Sequence, residues 1–176
     1  MAFNHFHWID IPCFGDVCRR HLYFLAKVEA HRVPGLGEVI RTFGTLSVRR
    51  GESDREAVRQ MREVVREGET LGVFVEGTRQ RSGVPGEVKP GASMVALQED
   101  VPVVVGTVYG TQTWRPGSFA PVSVAWSEPM RFDGLPRNAT GYREASGEIG
   151  RRIRTLFDFL ADVHALGRPE VAVPPR

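Results

Sequence analysis

The sequence predicts a single α/β domain, a sheet of buried strands covered by helices on both faces, and three observations predict it. The 176 residues, 41% of them hydrophobic and 25% charged, suit one globular unit with a sizeable core. Short apolar runs at 23–25, 71–75 and 101–109 carry almost no charge, the mark of strands buried on both faces. One helical pattern stands directly before the 71–75 run and another follows it after a polar loop, so strand and helix alternate along the chain.

The elements follow in order. Asp16 predicts the cap of a short helix through Cys18 and Arg20, and the strand at 23–25 is followed directly by Lys27. Val33, Leu36, Val39, Ile40 and Phe43 recur at helical spacing, with Pro34 in the first turn, which gives a helix bordering either the core or a lipid-binding groove. A strand at 44–48 then delivers Arg49 and Arg50 before Gly51 breaks it. Ser53, Asp54, Arg55 and Glu56 form a capping box. The apolar stripe Ala57, Val58, Met61, Val64 and Val65 follows, and Gly68 supplies a left-handed stop.

The 71–75 strand ends in Glu76, Gly77, Thr78 and Arg79, and a polar loop at 80–91 leads to a short helix at 92–98. After the 101–109 strand, Val122, Val124 and Trp126 alternate along a further strand at 121–127. The last helix, 141–164, places Ala145, Ile149, Ile153, Leu156, Phe157, Leu160 and Val163 on one stripe and stops at Gly167. The domain is expected over 1–167, with a proline-containing tail at 168–176.

Composition narrows the function. No apolar run reaches the ~18 to 20 residues of a membrane span, and no signal peptide opens the chain, so a cytoplasmic protein is expected. Cys13 and Cys18 match neither a redox motif nor a zinc ligand pair and read as free thiols. Arg151 and Arg152 fall on the exposed side of an amphipathic helix, so no nucleic-acid partner is expected.

Two stretches carry chemistry. His5 is followed after four residues by Asp10; five helical steps would leave the two side chains about 140° apart and five strand steps would put them on opposite faces, so only a turn brings them together. A His held by a carboxylate at Nδ1 keeps Nε2 free to take a proton, which makes it a general base. The second stretch is the strand end at 76–79, where ligands of α/β sheets collect: Gly77 permits close backbone approach, Thr78 offers a hydroxyl and Arg79 a planar fork for phosphate. Arg50 also follows a strand and would converge on the same anion, with Lys27 a weaker third candidate. His7, beside His5 and Asp10, allows a rival reading as a metal-dependent hydrolase.

These residues together resemble the glycerolipid acyltransferases typified by 1-acylglycerol-3-phosphate acyltransferase. The family's N-H-x-x-x-x-D matches Asn4, His5 and Asp10; its Gly followed by apolar residues and Arg matches Gly44 through Arg50; its F-P-E-G-T-R-S matches 74–80; and its proline-containing apolar strand matches 101–105. Val75 stands for a proline, Gln80 for a serine, Val105 for a second proline and His7 for a small polar residue. The resemblance implies a mixed, mostly parallel sheet of the glycerol-3-phosphate acyltransferase kind. It also implies direct acyl transfer from acyl-CoA or acyl carrier protein to a lysophospholipid, without metal or other cofactor, at the cytoplasmic face of a membrane held peripherally. His5 and Asp10 would be catalytic, and Arg50, Glu76, Gly77, Thr78 and Arg79 would bind the phosphate-bearing acceptor. A catalytically silent lipid- or partner-binding domain of the same fold is the other reading. The family has a strand before the histidine for which this sequence offers only Met1, Ala2 and Phe3, so the first strand is expected to be largely missing here, or the native chain to start upstream.

Overall fold

The computed structural model describes residues 1–18, 20–27, 45–48, 54–168 and 173–175. Within them the elements run β1 (Ala2–Phe3), α1 (Asp10–Val17), β2 (Leu22–Lys27), β3 (Thr45–Val48), α2 (Asp54–Arg66), β4 (Thr70–Phe74), α3 (Gly91–Glu99), β5 (Val105–Tyr109), β6 (Ser123–Trp126) and α4 (Ala139–Ala165). The expected helix at 33–43, Arg49, Arg50 and the Ser53 cap lie outside the described residues.

The strands form one sheet in the order β3-β2-β4-β1-β5-β6, parallel throughout except for the antiparallel pair β5 and β6. Its mixed, mostly parallel character is therefore as the sequence suggested. The first strand has a central place in this order. Two residues long, β1 lies between β4 and β5 and pairs with both, Phe3 standing level with Phe74 on one side and Gly106 on the other.

Residue alternation sends successive side chains to opposite faces. Ala2, Val75, Val105 and Ala125 pack against Ile149, Ile153, Leu156 and Leu160 of α4, and Met61 and Val64 of α2 close over Leu71 and Val95. Arg62 and Arg66 of α2 both reach Glu99 of α3, tying the two helices on that face. On the opposite face Phe3 stacks on Phe14 of α1 at 4.1 Å. Room for this ring comes from the neighbouring strands: a Cβ on Gly72 would lie 3.0 Å from the Phe3 ring and one on Gly106 2.7 Å from it. Val122, Val124 and Trp126 join this second cluster together, as their alternation implied.

Three of the boundaries that differ from the sequence reading have a clear local cause. The first helix begins at Asp10 instead of being capped by Asp16, which lies in its last turn. Pro12 fits there because the first-turn N–H groups of a helix have no intrahelical acceptor. β5 starts at Val105, since Asp100 turns the chain left-handed (φ 54°) and Val103 makes only an isolated bridge to Met130. α4 starts two residues before Gly141 because the Asn138 carboxamide oxygen accepts from the N–H groups of Thr140 and Gly141. Gly68 terminates α2 with φ 80°, the Glu69 N–H reaching Val64 and the Gly68 N–H reaching Val65, as in a Schellman motif.

Candidate active site

Because β1 and β4 are parallel neighbours in register at Phe3 and Phe74, the residues that leave their C-terminal ends emerge side by side. The histidine loop and the 76–79 turn meet there. Asn4 is fully buried and bridges to β5, its Nδ2 donating to the Val108 carbonyl at 3.0 Å and its Oδ1 accepting the Val108 N–H at 2.9 Å. The carboxamide thus continues the sheet's hydrogen bonding one residue past the end of β1. This role carries no periodic signal and was not read from the sequence.

His5 and Asp10 are brought together by the turn that their spacing required. His5 Nδ1 lies 2.9 Å from Asp10 Oδ2, and the same oxygen accepts the main-chain N–H groups of Phe6 at 2.7 Å and His7 at 2.8 Å. A carboxylate only accepts, so the Nδ1 proton belongs to His5 and Nε2 is left for other chemistry. Asp10 is completely buried, while the His5 side chain keeps 16% of its exposure. The imidazole stacks on Phe74 at 4.1 Å, which fixes its plane. Asp10 Oδ1 has no partner among the described residues.

Glu76 lies 2% exposed directly after Val75. Its Oε2 accepts the His5 main-chain N–H and its Oε1 the Gly86 N–H, each at 2.8 Å. Burial pushes its carboxyl up to about 7, against the pull of the Gly86 and His5 amides. The Gln80 N–H donates to the His5 carbonyl at 2.7 Å, so both main-chain groups of His5 are held by the 76–80 segment.

Gly77 has φ 70°, and Thr78 and Arg79 are exposed beside it. A feature missed in the sequence is Lys89. Its main-chain N–H is anchored on the Val75 carbonyl at 2.8 Å, and its side chain lies across Gly77 so closely that a Cβ there would fall 2.9 Å from Nζ. A lysine ten residues past Arg79 in a loop offers no spacing signal. No described carboxylate lies within ion-pairing distance of Arg79 or Lys89.

Arg50 lies outside the described residues, and Lys27 is the last residue of β2. His7 does not use its ring on Asp10; it packs 5.2 Å from Trp114 and 5.7 Å from Trp8. Among the described residues no three His, Cys, Asp or Glu side chains are grouped to hold a metal ion.

A geometry of this kind can take a proton from a hydroxyl at His5 Nε2 beside cations suited to an anion. The comparisons with known proteins agree in kind. The family model described as Acyltransferase matches residues 1–108. The chain is 32% identical over 113 residues to a 1-acyl-sn-glycerol-3-phosphate acyltransferase of Borreliella burgdorferi, covering 63% of this chain and 45% of that one. It is 38% identical over 76 residues to a lyso-ornithine lipid O-acyltransferase of Pseudomonas aeruginosa, covering 43% of this chain and 29% of the relative. The crystal structure of the 1-acyl-sn-glycerophosphate (LPA) acyltransferase PlsC from Thermotoga maritima superposes with a TM-score of 0.63 at 27% identity, covering 86% of this chain and 62% of that one. The chain thus spans less than two thirds of each of these relatives.

Proposed function

The chain belongs to the acyltransferase family, and from that premise we propose that it moves a fatty acyl group from a thioester donor, acyl-CoA or acyl carrier protein, to a hydroxyl of a phosphate-bearing lysolipid, with lysophosphatidic acid the first candidate. The observation that carries this reading is the 2.9 Å contact between His5 Nδ1 and buried Asp10.

In the proposed step His5 Nε2 takes the acceptor hydroxyl proton as the oxygen attacks the thioester carbonyl. The C–S bond breaks and the departing thiolate receives the proton from His5. The transfer is direct, with both substrates bound together and no acyl-enzyme. Arg79 and Arg50 grip the acceptor phosphate in this reading, with Gly77 and Thr78 at its edge and Lys89 as an added cation. Glu76, which the resemblance gives to acceptor binding, also holds the His5 backbone in this reading: each of its oxygens accepts one main-chain amide, from His5 and from Gly86, and keeps a second lone pair. The protein would work at the cytoplasmic face of a membrane, held peripherally; no described helix is long and apolar enough to cross one.

The test is acceptor-dependent thiol release from acyl-CoA and from acyl carrier protein, each offered lysophosphatidic acid, glycerol 3-phosphate and a lyso-ornithine lipid. Turnover fastest with lysophosphatidic acid supports the reading. Turnover confined to the lyso-ornithine lipid would overturn the phosphate assignment, and thiol release independent of any acceptor would overturn acyl transfer.

A further inference from the structure

The loop that carries His5 also carries an aromatic patch that the proposed chemistry does not use. Trp8 and Trp114 meet edge to face with ring centroids 5.8 Å apart, and the His7 ring lies beside both. Trp8 is 54% exposed, and Phe119, in the same β5–β6 connection as Trp114, is exposed completely. A turn from Arg115 to Ser118 separates Trp114 from Phe119, closed by the Ser118 N–H on the Arg115 carbonyl at 2.9 Å. Neither contributing segment holds an acidic residue: no Asp or Glu occurs from Phe3 to Ile9 or from Val101 to Ser127. The one formal charge in the β5–β6 connection is Arg115, which is exposed.

We propose that Trp8, Trp114 and Phe119, with Arg115 beside them, form the surface by which this chain seats on a lipid bilayer, with the His5 loop against the membrane. Indole rings settle at the level of lipid headgroups because their bodies are apolar and their N–H groups are polar. A single arginine among neutral side chains is drawn to anionic headgroups, and no carboxylate in either segment opposes it. An acidic carrier protein would call for several cations, and this patch offers one. The purpose of the surface rests on the acyl-transfer reading, since a lysolipid acceptor would then enter from the membrane three residues from His5. Its existence is tested without turnover.

The probe is vesicles of phosphatidylcholine and phosphatidylglycerol, with brominated acyl chains in one arm, titrated with the 176-residue chain and with a Trp8→Ser, Phe119→Ser double variant. Both side chains are largely in water, so the variant keeps the core. Brominated lipid should quench the tryptophan fluorescence of the parent chain, and the double variant should lose at least about tenfold in vesicle affinity. Arg115→Gln should lose less, and its deficit should vanish as salt rises. In the double variant, thiol release with an acceptor held in vesicles should fall in parallel with binding. With a short-chain acceptor dissolved as monomers it should stay near the parent's.

Absent quenching, or an unchanged affinity in the double variant, overturns the proposal. So does equal loss on the dissolved acceptor, which would place these rings in the reaction itself. A double variant that keeps its vesicle affinity and loses binding to acyl carrier protein assigns the patch to a protein partner, and also overturns it. If the parent chain releases thiol with neither acceptor, the acyl-transfer reading fails, and vesicle affinity still decides this one.

Discussion

Glu76 receives the main-chain N–H of His5 at 2.8 Å, so a carboxylate distant in sequence fixes the backbone of the proposed base. Its other oxygen accepts the Gly86 N–H at 2.8 Å. Glu76→Gln keeps one acceptor and turns an NH2 toward the second amide. The variant should lose kcat by roughly 5- to 150-fold, the equivalent of about 1 to 3 kcal/mol for a buried amide left unpaired. KM for the acceptor should change little. Steady-state kinetics over both substrates check this, and a loss confined to acceptor KM would return Glu76 to the ligand.

The same carboxyl predicts a pH dependence of stability. Burial raises it to about 7 in the folded protein, from an ordinary value of 4.5. Between those values the folded chain holds a proton that the unfolded chain has released, so stability falls as pH rises from about 4.5 to about 7 and levels off above. Urea unfolding at a series of pH values should show this slope, and Glu76→Gln should flatten it.

Asn4→Ala should destabilise the fold, since it strips hydrogen bonds from both the N–H and the carbonyl of Val108 in a buried place. Each unpaired group costs about 1 to 3 kcal/mol. Asn4→Asp keeps an acceptor for the N–H but turns a second oxygen toward the carbonyl, and should also lose stability. The urea midpoint measures both.

What could be read in advance follows the range of the interaction. The Gly68 stop and the alternation of Val122, Val124 and Trp126 depend on neighbours within a few positions, and they stand as the residues implied. His5 and Asp10 could be paired because a turn was the one way to join them at that spacing. Asn4 with Val108 and Glu76 with His5 join residues 104 and 71 positions apart, and they exist only because β1 is threaded between β4 and β5. Lys89 was invisible because it reaches Gly77 from a loop whose path no residue spacing signals. Asp16 has the side chain of a helix cap but lies in the last turn of α1, while the Asp10 carboxylate at the helix start turns back onto the N–H groups of Phe6 and His7.

Gly77→Ala probes the cation side. At φ 70° an alanine costs about 1 to 2 kcal/mol, and its methyl would occupy the space across which Lys89 lies. Lys89 is flexible and would move, so the fold should survive while KM for lysophosphatidic acid rises. Lys89→Ala and Arg79→Ala should each raise that KM by roughly 10- to 150-fold, the worth of a charge-assisted hydrogen bond of about 1.5 to 3 kcal/mol. Use of a phosphate-free acceptor should be spared. Equal losses on both acceptors would show that these cations serve something other than a phosphate.

The most direct measurement is acceptor-dependent thiol release by His5→Ala beside His7→Ala, with both variants shown folded by circular dichroism. Removing a general base costs roughly 10²- to 10⁴-fold, so His5→Ala should lose that much in kcat, while His7→Ala, whose ring packs on Trp8 and Trp114, should keep most of its turnover. A His5→Ala protein that turns over like the parent, or a dead His7→Ala beside an active His5→Ala, would contradict the account.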